Sequence, residues 1–488
     1  MSAPGCKYHF SLLFVPSAIA AKGEFFMSVH ERFNGVLRAN PVNPRYFTDD
    51  SGGAIYLTGS HTWAVMLDMW PENEERHNMD YDAFIQMMED NRHNFLRFWQ
   101  YGQNTKSRHG DGIPVLYDPM PYERTGPGLA RDGEPKFDLT KFNPMYFQRL
   151  RDRIVKAAER GIYASIMMFE AWTIKWAGED GGSWQYCTYN PENNVNGITD
   201  NPVLENGRAW GVFSLHCPQI LEYQKAFIRK VVDTVNDLDN VLYEVCNEVP
   251  DRSEAMEWQE HLCTYIREYE KSKPKQHMIG ITAEGGEQVN EELFRTNADW
   301  ISPSNGRLFE YRYNPPAADG SKVILNDTDH LWGHGCEVDW IWKSFTRGMN
   351  VLFMDPWEPF PEDTQWWKIG NITKNQRYYY AWDPMRRNLG YTREISLSYD
   401  MNRCVPHNEL CTSTFCLADP GNQYVCYFPA GGAEGIDLSG TKGMFQIEWL
   451  NPMTGVLFKG EPVEGGTRAE LSAPFEGPSV LLLFKHRA

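Results

Sequence analysis

From residue 45 onward, short runs of apolar, β-branched and aromatic residues alternate with longer stretches whose apolar positions recur at helical spacing. That alternation predicts βα units around a parallel sheet. Runs at 54–59, 94–99, 163–168, 241–246, 277–282, 299–302, 322–325 and 350–354 supply eight strands. Helical patterns at 81–91, 144–160, 218–236, 253–271 and 338–347 provide crossovers, the second stopped by Gly161. Eight such strands in an α/β chain predict a (β/α)8 TIM barrel. The segment 173–216, rich in Gly, Asn and Trp, reads as a substrate-shaping loop after the third strand, and a further helix is expected over 374–388.

Past Leu410 the helical period disappears. Short alternating runs at 424–429, 445–451, 468–471 and 479–484, separated by Gly-rich turns, predict a small antiparallel β-sandwich. The chain therefore divides into an N-terminal segment (1–40), a catalytic barrel (41–400) and an accessory β-sandwich (401–488). A length of 488 residues suits that division, because a barrel takes about 250 residues before insertions. No internal repeat or low-complexity tract is present.

Composition narrows the chemistry. A formal net charge of −18 argues against a nucleic-acid partner, which needs clustered Lys and Arg. It also disfavours a strongly anionic polysaccharide, although a local basic pocket could take one carboxylate. Aromatic residues make up 14% of the chain, with 17 Trp. Most must be structural, but many fall just beyond strand ends beside His, Asn, Asp and Glu. Flat apolar faces next to hydrogen-bonding groups suit a sugar. Ten Cys do not make a disulfide framework; Cys404, Cys411, Cys416 and Cys426 fit no zinc spacing and read as buried thiols, with one disulfide as the alternative. Near the N-terminus, Lys7, the apolar run 10–20 and Ala-Ile-Ala-Ala at 18–21 resemble a secretory signal, against which stand Pro16 and the single basic residue. The expectation is a secreted or periplasmic protein, with the cytoplasm as the alternative. No apolar run approaches 18 residues, so no transmembrane helix is predicted. Nothing in the sequence speaks to oligomeric state.

In such barrels the working residues lie at the C-terminal ends of the strands. Those positions offer His61 and Trp63 after strand one, and Arg97, Trp99, Gln100 and Tyr101 at strand two. Strand three gives Glu170 and Trp172, strand four Asn247 and Glu248, and strand five Glu284. Strand seven gives Asp327, Asp329, His330 and Trp332; strand eight gives Asp355, Trp357 and Glu358. Carboxylates crowded into one mouth push some pKa values up, as a general acid requires. Cleaving a glycosidic bond takes two carboxyl groups, one protonating the leaving oxygen and one attacking or activating water. Glu248 is the expected acid/base, with Asn247 beside it to hydrogen-bond a sugar hydroxyl; the plainer reading is a helix-capping Asn-Glu pair. Asp327 is the favoured partner and Asp329 its rival, against a turn-and-cap reading of Asp327-Thr328-Asp329. Arg97 should pair with a carboxylate and keep it ionised. Substrate binding is expected of His61, Trp63, Arg97, Trp99, Gln100, Glu170, Trp172, Asn247, Glu284, Asp329, His330, Trp332 and Trp357. His330, His334 and Cys336 invite a metal, but Gly333 and Gly335 interrupt the helix an i, i+4 His pair needs, and the metalloprotease motif is absent. No metal and no cofactor is expected.

These residues resemble the clan A glycoside hydrolases: Asn247-Glu248 on strand four, a carboxylate ending strand seven, an Arg ending strand two. More closely, Asn43-Pro44-Arg45-Tyr46-Phe47 with Tyr56-Leu57-Thr58-Gly59-Ser60-His61-Thr62-Trp63 resembles the apiosidase-like barrel family. Leu417-Ala418-Asp419-Pro420-Gly421, Trp449-Leu450-Asn451-Pro452-Met453-Thr454-Gly455 and Gly465-Gly466 are similar to the small β-domain that often follows it and carries a collagen-binding label. Together the similarity spans roughly residues 40–486. It implies a glycosidase acting on plant or microbial oligo- or polysaccharide, retaining, with Glu at both catalytic positions. Asp327 departs from that pattern by one methylene. Two other classes compete: a catalytically silent carbohydrate-binding or adhesin-like protein, and a metal-dependent barrel hydrolase.

Overall fold

The structure is a computed structural model and describes residues 33–485 apart from 74, 77, 103–104, 107–114, 173, 175–182, 204–207, 286, 334, 356 and 358–381. The signal-like stretch lies outside the described residues. Eight parallel strands form the barrel: Thr58–His61, Phe95–Phe98, Tyr163–Glu170, Val241–Asn247, Ile279–Thr282, Trp300–Ser302, Val323–Asp327 and Asn350–Met354, called strands one to eight below. From strand two to strand eight each pairs with the next in sequence, and strand eight pairs with strand one. Strands one and two close the ring through Asn94 N–H to the Thr58 carbonyl (2.9 Å) and Thr58 N–H to Asn94 Oδ1 (2.9 Å). The close approach there requires glycine: a β-carbon on Gly59 would stand 2.1 Å from the Phe95 carbonyl oxygen.

Strand one starts later than the apolar pattern suggests. Ile55 is drawn instead into an antiparallel bridge with Phe47, part of an N-terminal hairpin beneath the barrel. That hairpin and Leu37 cover an interior floor of Leu57, Phe95, Tyr163, Leu242, Trp300 and Leu352. Strands three, four and seven run one or two residues further than their apolar stretches, ending on Glu170, Asn247 and Asp327. Polar residues end these strands, so hydrophobicity understates their length where the site begins.

The crossover helices follow their patterns, and two begin on side-chain caps. Asp80 accepts from the Ala83 amide and Asn143 from the Met145 amide, with Pro144 in the first turn. Of the helix expected over 374–388, residues 374–381 lie outside the described residues, 383–388 are helical, and the helix Asp383–Ser398 runs ten residues further. Its buried face is largely polar (Arg386, Asn388, Thr392), which hides its period. Between strand one and the helix Pro144–Ala158, the sequence pattern missed a three-stranded sheet (Asp68–Pro71, Val115–Asp118, Thr105–Lys106) and a hairpin (Tyr122–Leu129, Pro135–Phe142).

The C-terminal sandwich has a six-stranded antiparallel sheet and a two-stranded second layer, Ala433–Asp437 with Arg468–Ser472. Alternation along its strands serves two cores. Cys416, Tyr424, Cys426 and Leu481 face the sandwich interior, while Leu417, Val425, Tyr427 and Leu482 pack on the barrel. Tyr427 stacks on Trp342 at 6.3 Å and donates to Asp339 (2.9 Å). Cys404, Cys411, Cys416 and Cys426 are all free and buried.

Candidate active site

Arg97 organises the barrel mouth. It sits two residues above the floor residue Phe95 on the same face of strand two, 2% exposed. Its five N–H groups meet five acceptors. Nε and Nη2 grip both oxygens of Glu244 (2.8 and 2.5 Å), and Nη2 also donates to Asn247 Oδ1 (2.8 Å). Nη1 donates to Asp327 Oδ2 (2.7 Å) and Asp329 Oδ2 (3.3 Å). The fork of a guanidinium suits this, where an ammonium would not. Strands two, four and seven are thereby tied together in a water-poor centre.

Three acids around one guanidinium leave an excess of negative charge, and the two aspartates resolve it oppositely. Burial works to raise the Asp327 pKa, but His61 and Arg97 overcome it and hold the carboxyl well below the usual range. Burial pushes Asp329 well above that range, Asp327 adding to the rise and Arg97 opposing it. The two aspartates are thus driven apart, Asp327 toward its charged form and Asp329 toward its neutral one. Exposure separates them too: Asp327 has none and Asp329 has 6%. Both Asp327 oxygens are taken, Oδ1 by His61 Nε2 (2.9 Å) and the Asp329 amide (3.0 Å), Oδ2 by Arg97.

The hydrogen bonds also fix two tautomers. The Trp99 indole N–H donates to His61 Nδ1 (2.8 Å), so the His61 proton resides on Nε2 and is given to Asp327. Burial keeps that imidazole neutral by lowering its pKa. His330 receives the Ser302 hydroxyl at Nδ1 (2.8 Å) and gives Nε2–H to Asn247 Oδ1 (2.9 Å). Burial, with Arg97 nearby, lowers its pKa to about 3. Asn247 Oδ1 thus takes two donors, and its buried Nδ2 has no hydrogen-bond partner among the described residues. That leaves a donor next to Glu248 in sequence, available to a ligand.

Glu248 has φ 45°, a left-handed backbone that a non-glycine residue adopts at a cost. Thr282 holds it there: its Oγ1 accepts the Glu248 amide (3.2 Å) and donates to the Cys246 carbonyl (2.9 Å). Half-buried Glu248 and the buried strand-three Glu170 both lie close enough to Tyr101, as does Asp329, to push its pKa up, although burial and Tyr117 do more. Tyr101 belongs to a run of stacked rings, His61–Trp99 (6.0 Å), Trp99–Tyr101 (6.0 Å) and Tyr101–Tyr117 (4.5 Å).

His61, Arg97, Trp99, Asn247, Asp327, Asp329 and His330 therefore form one network, and Glu170 is in register with Asn247 on the neighbouring strand. Gln100 donates to the Met168 carbonyl (2.5 Å) and serves the wall between strands two and three. Trp357 is buried edge-on against Phe84 (5.6 Å). Trp63 and Trp172 are half-buried; exposed Glu284 gives its amide to the Val249 carbonyl (2.9 Å). Trp332 packs edge-on against Trp340 (5.5 Å). His334 and Glu358 lie outside the described residues. Among the described residues, no group of three His, Cys, Asp or Glu is placed to hold a metal, and both His330 nitrogens are committed elsewhere. Sequence reasoning missed Glu244, Thr282 and Ser302. Only Glu244 left a signal, a charge between apolar neighbours on the face of Leu242.

Residues 94–297 match the model of a family described as a domain of unknown function, DUF6298, a span that runs from strand two past the helix after strand five. No curated protein matches the chain. A solved structure named glycoside hydrolase superposes with a TM-score of 0.58 at 13% identity, covering 93% of this chain and 97% of that one. A glycoside hydrolase family 5 structure from Bacteroides vulgatus gives 0.61 at 13% identity, with 93% of each chain covered. At that identity the likeness shows the fold, a (β/α)8 barrel followed by a β-sandwich.

Proposed function

We propose that the protein is a glycoside hydrolase cleaving a glycosidic bond in a plant or microbial oligo- or polysaccharide. One observation carries this reading: a single buried network joins Arg97 on strand two, Glu244 and Asn247 on strand four, Asp327 ending strand seven and Asp329 just beyond it, with Glu248 next in sequence to Asn247. Glu248 is the acid/base that protonates the leaving oxygen, and Asn247 Nδ2 is the donor for a neighbouring sugar hydroxyl. On strand seven, exposure moves the weight from Asp327 to Asp329. Asp329 meets the sugar, and Asp327 holds it in place with Arg97 and His61. The neighbours named as glycoside hydrolases and the apiosidase-like motifs at 43–63 support the same class, and the clan A resemblance supports retention.

A screen of neutral and singly charged glycans, read by reducing-sugar release and product anomer, tests the activity. Glu248→Ala is expected to lower turnover by at least about a hundredfold, the scale of a lost general acid. Azide rescue separates the aspartates: the variant lacking the attacking carboxylate should yield a glycosyl azide of inverted configuration. Turnover unaffected by Glu248→Ala and by both aspartate substitutions would sink the assignment.

A further inference from the structure

The loop after strand six carries a group of exposed apolar side chains. Leu308 is 80% exposed, Phe309 49% and Tyr313 54%, although the core close by is fully buried. They do not hang on a loose segment. Buried Tyr311 anchors the short helix Glu310–Tyr313, its carbonyl accepting the Trp340 indole N–H (3.0 Å). The Leu308 amide is held by Glu310 Oε2 (3.0 Å), and Phe309 is fixed in a left-handed backbone (φ 55°) that a bulky residue adopts only when its surroundings impose it. Phe309 and Tyr313, four residues apart, set their rings 6.5 Å from each other at 59°.

This pair is continuous with the mouth. Asn305 Nδ2 donates to the Leu331 carbonyl (3.1 Å), one residue from His330. The Arg312 guanidinium lies over Tyr313 (5.2 Å) and over Trp332 (4.6 Å), joining the rim of strand six to that of strand seven. Ser302, at the end of strand six, is the group that fixes His330.

We propose that Phe309 and Tyr313 form an outer sugar subsite, taking distal units of the same glycan whose scissile bond lies at Glu248. The occupant rests on the glycosidase reading; the chemistry rests on the rings. Two tilted aromatic faces offer C–H contact to a pyranose, with the Tyr313 hydroxyl at the edge. Arg312 lies against the Tyr313 and Trp332 rings, and the faces left exposed on Phe309 and Tyr313 are aromatic, which suits the apolar face of a sugar. Three exposed apolar side chains are far fewer than the roughly 20–30 residues a side of a stable protein interface, which disfavours a second copy of the chain as occupant.

Native gels cast with mixed-linkage β-glucan, xyloglucan, galactomannan or arabinogalactan test it, with Glu248→Ala as the background so that the polymer stays intact. Retardation in at least one gel is expected, weakened about tenfold by Phe309→Ala with Tyr313→Ala. Retardation that ignores the two substitutions, or no retardation in any gel, overturns the subsite. So does concentration-dependent dimerisation in sedimentation that the same substitutions abolish. Ring-dependent retardation only by polymers that the wild-type chain does not cleave would leave a sugar-binding surface but overturn its tie to the Glu248 site, whereas cleavage without ring-dependent retardation would keep the hydrolase reading and remove the subsite.

Discussion

The two ends of the barrel interior are built by the same strands and could hardly differ more. At the lower end Phe95, Leu242 and Leu325 form an apolar floor with Leu57. Two residues on, about 7 Å along each strand, the same face carries Arg97, Glu244 and Asp327, and on strand one it carries Gly59 and then His61. The floor gains from burial in any well-packed arrangement. The upper layer gains only if every group is matched, because each unpaired charge at that depth costs several kcal/mol. A layer so costly persists where it holds a site. The contrast makes different demands on substitution at the two levels.

The largest effect should come from removing the hub. Arg97→Met keeps the volume but leaves Glu244 and Asp327 buried without their cation. Destabilisation of about 3–5 kcal/mol is expected in urea unfolding, with activity lost. A change below 1 kcal/mol would show the upper layer to be no more demanding than the floor. At the floor, a β-carbon on Gly280 would stand 1.9 Å from the Trp300 ring. Gly280→Ala is an overpacking change expected to cost about 1–3 kcal/mol, while turnover per folded molecule and its pH profile stay as they are. An altered pH profile would mean that floor and mouth are coupled.

The floor was largely legible in the sequence because it obeys a simple rule: apolar runs at strand spacing, with Gly59 and Gly280 where elements touch. The mouth was legible only in part. Asn247 and Asp327 announce themselves by standing just past the end of an apolar run, and Arg97 as a cation between Leu96 and Phe98. Glu244 is hidden inside a run, and its role depends on the face it shares with Leu242, which requires knowing the register. Thr282 and Ser302 are small polar residues whose importance lies wholly in what they touch. The length of the helix Asp383–Ser398 beyond residue 388 was missed for the converse reason: polar residues line its buried face, where Arg386 grips Asp355 through both oxygens (2.8 and 2.6 Å). The choice between Asp327 and Asp329 could not come from spacing, since it turns on which oxygen keeps access to the opening.

A smaller effect is expected inside the upper layer. Trp99→Phe preserves the ring stacked on His61 but removes the N–H that holds its tautomer. The lost hydrogen bond should cost about 1 kcal/mol. The sharper readout is the imidazole nitrogen spectrum of His61, which should pass from a single Nε2–H form to a tautomer mixture. An unchanged spectrum would show that Asp327 alone orders the ring.

The finest test sets the two aspartates against each other through pH. The folded Asp327 carboxyl lies below its unfolded value, so the stability it contributes is present above that unfolded value and is lost as pH falls through the folded one. Asp329 lies above its unfolded value, so its contribution is present at low pH and is lost as pH rises through the folded one. Asp327→Asn should therefore flatten the acid side of the stability profile, and Asp329→Asn the alkaline side, measured as unfolding free energy at a series of pH values. Activity should run against stability for Asp329: an attacking carboxylate must be ionised, so kcat/KM should climb over the pH window in which the fold loses that contribution. If kcat/KM instead falls through that window, Asp329 works as the proton donor, and the attacking role passes to a carboxylate across the mouth.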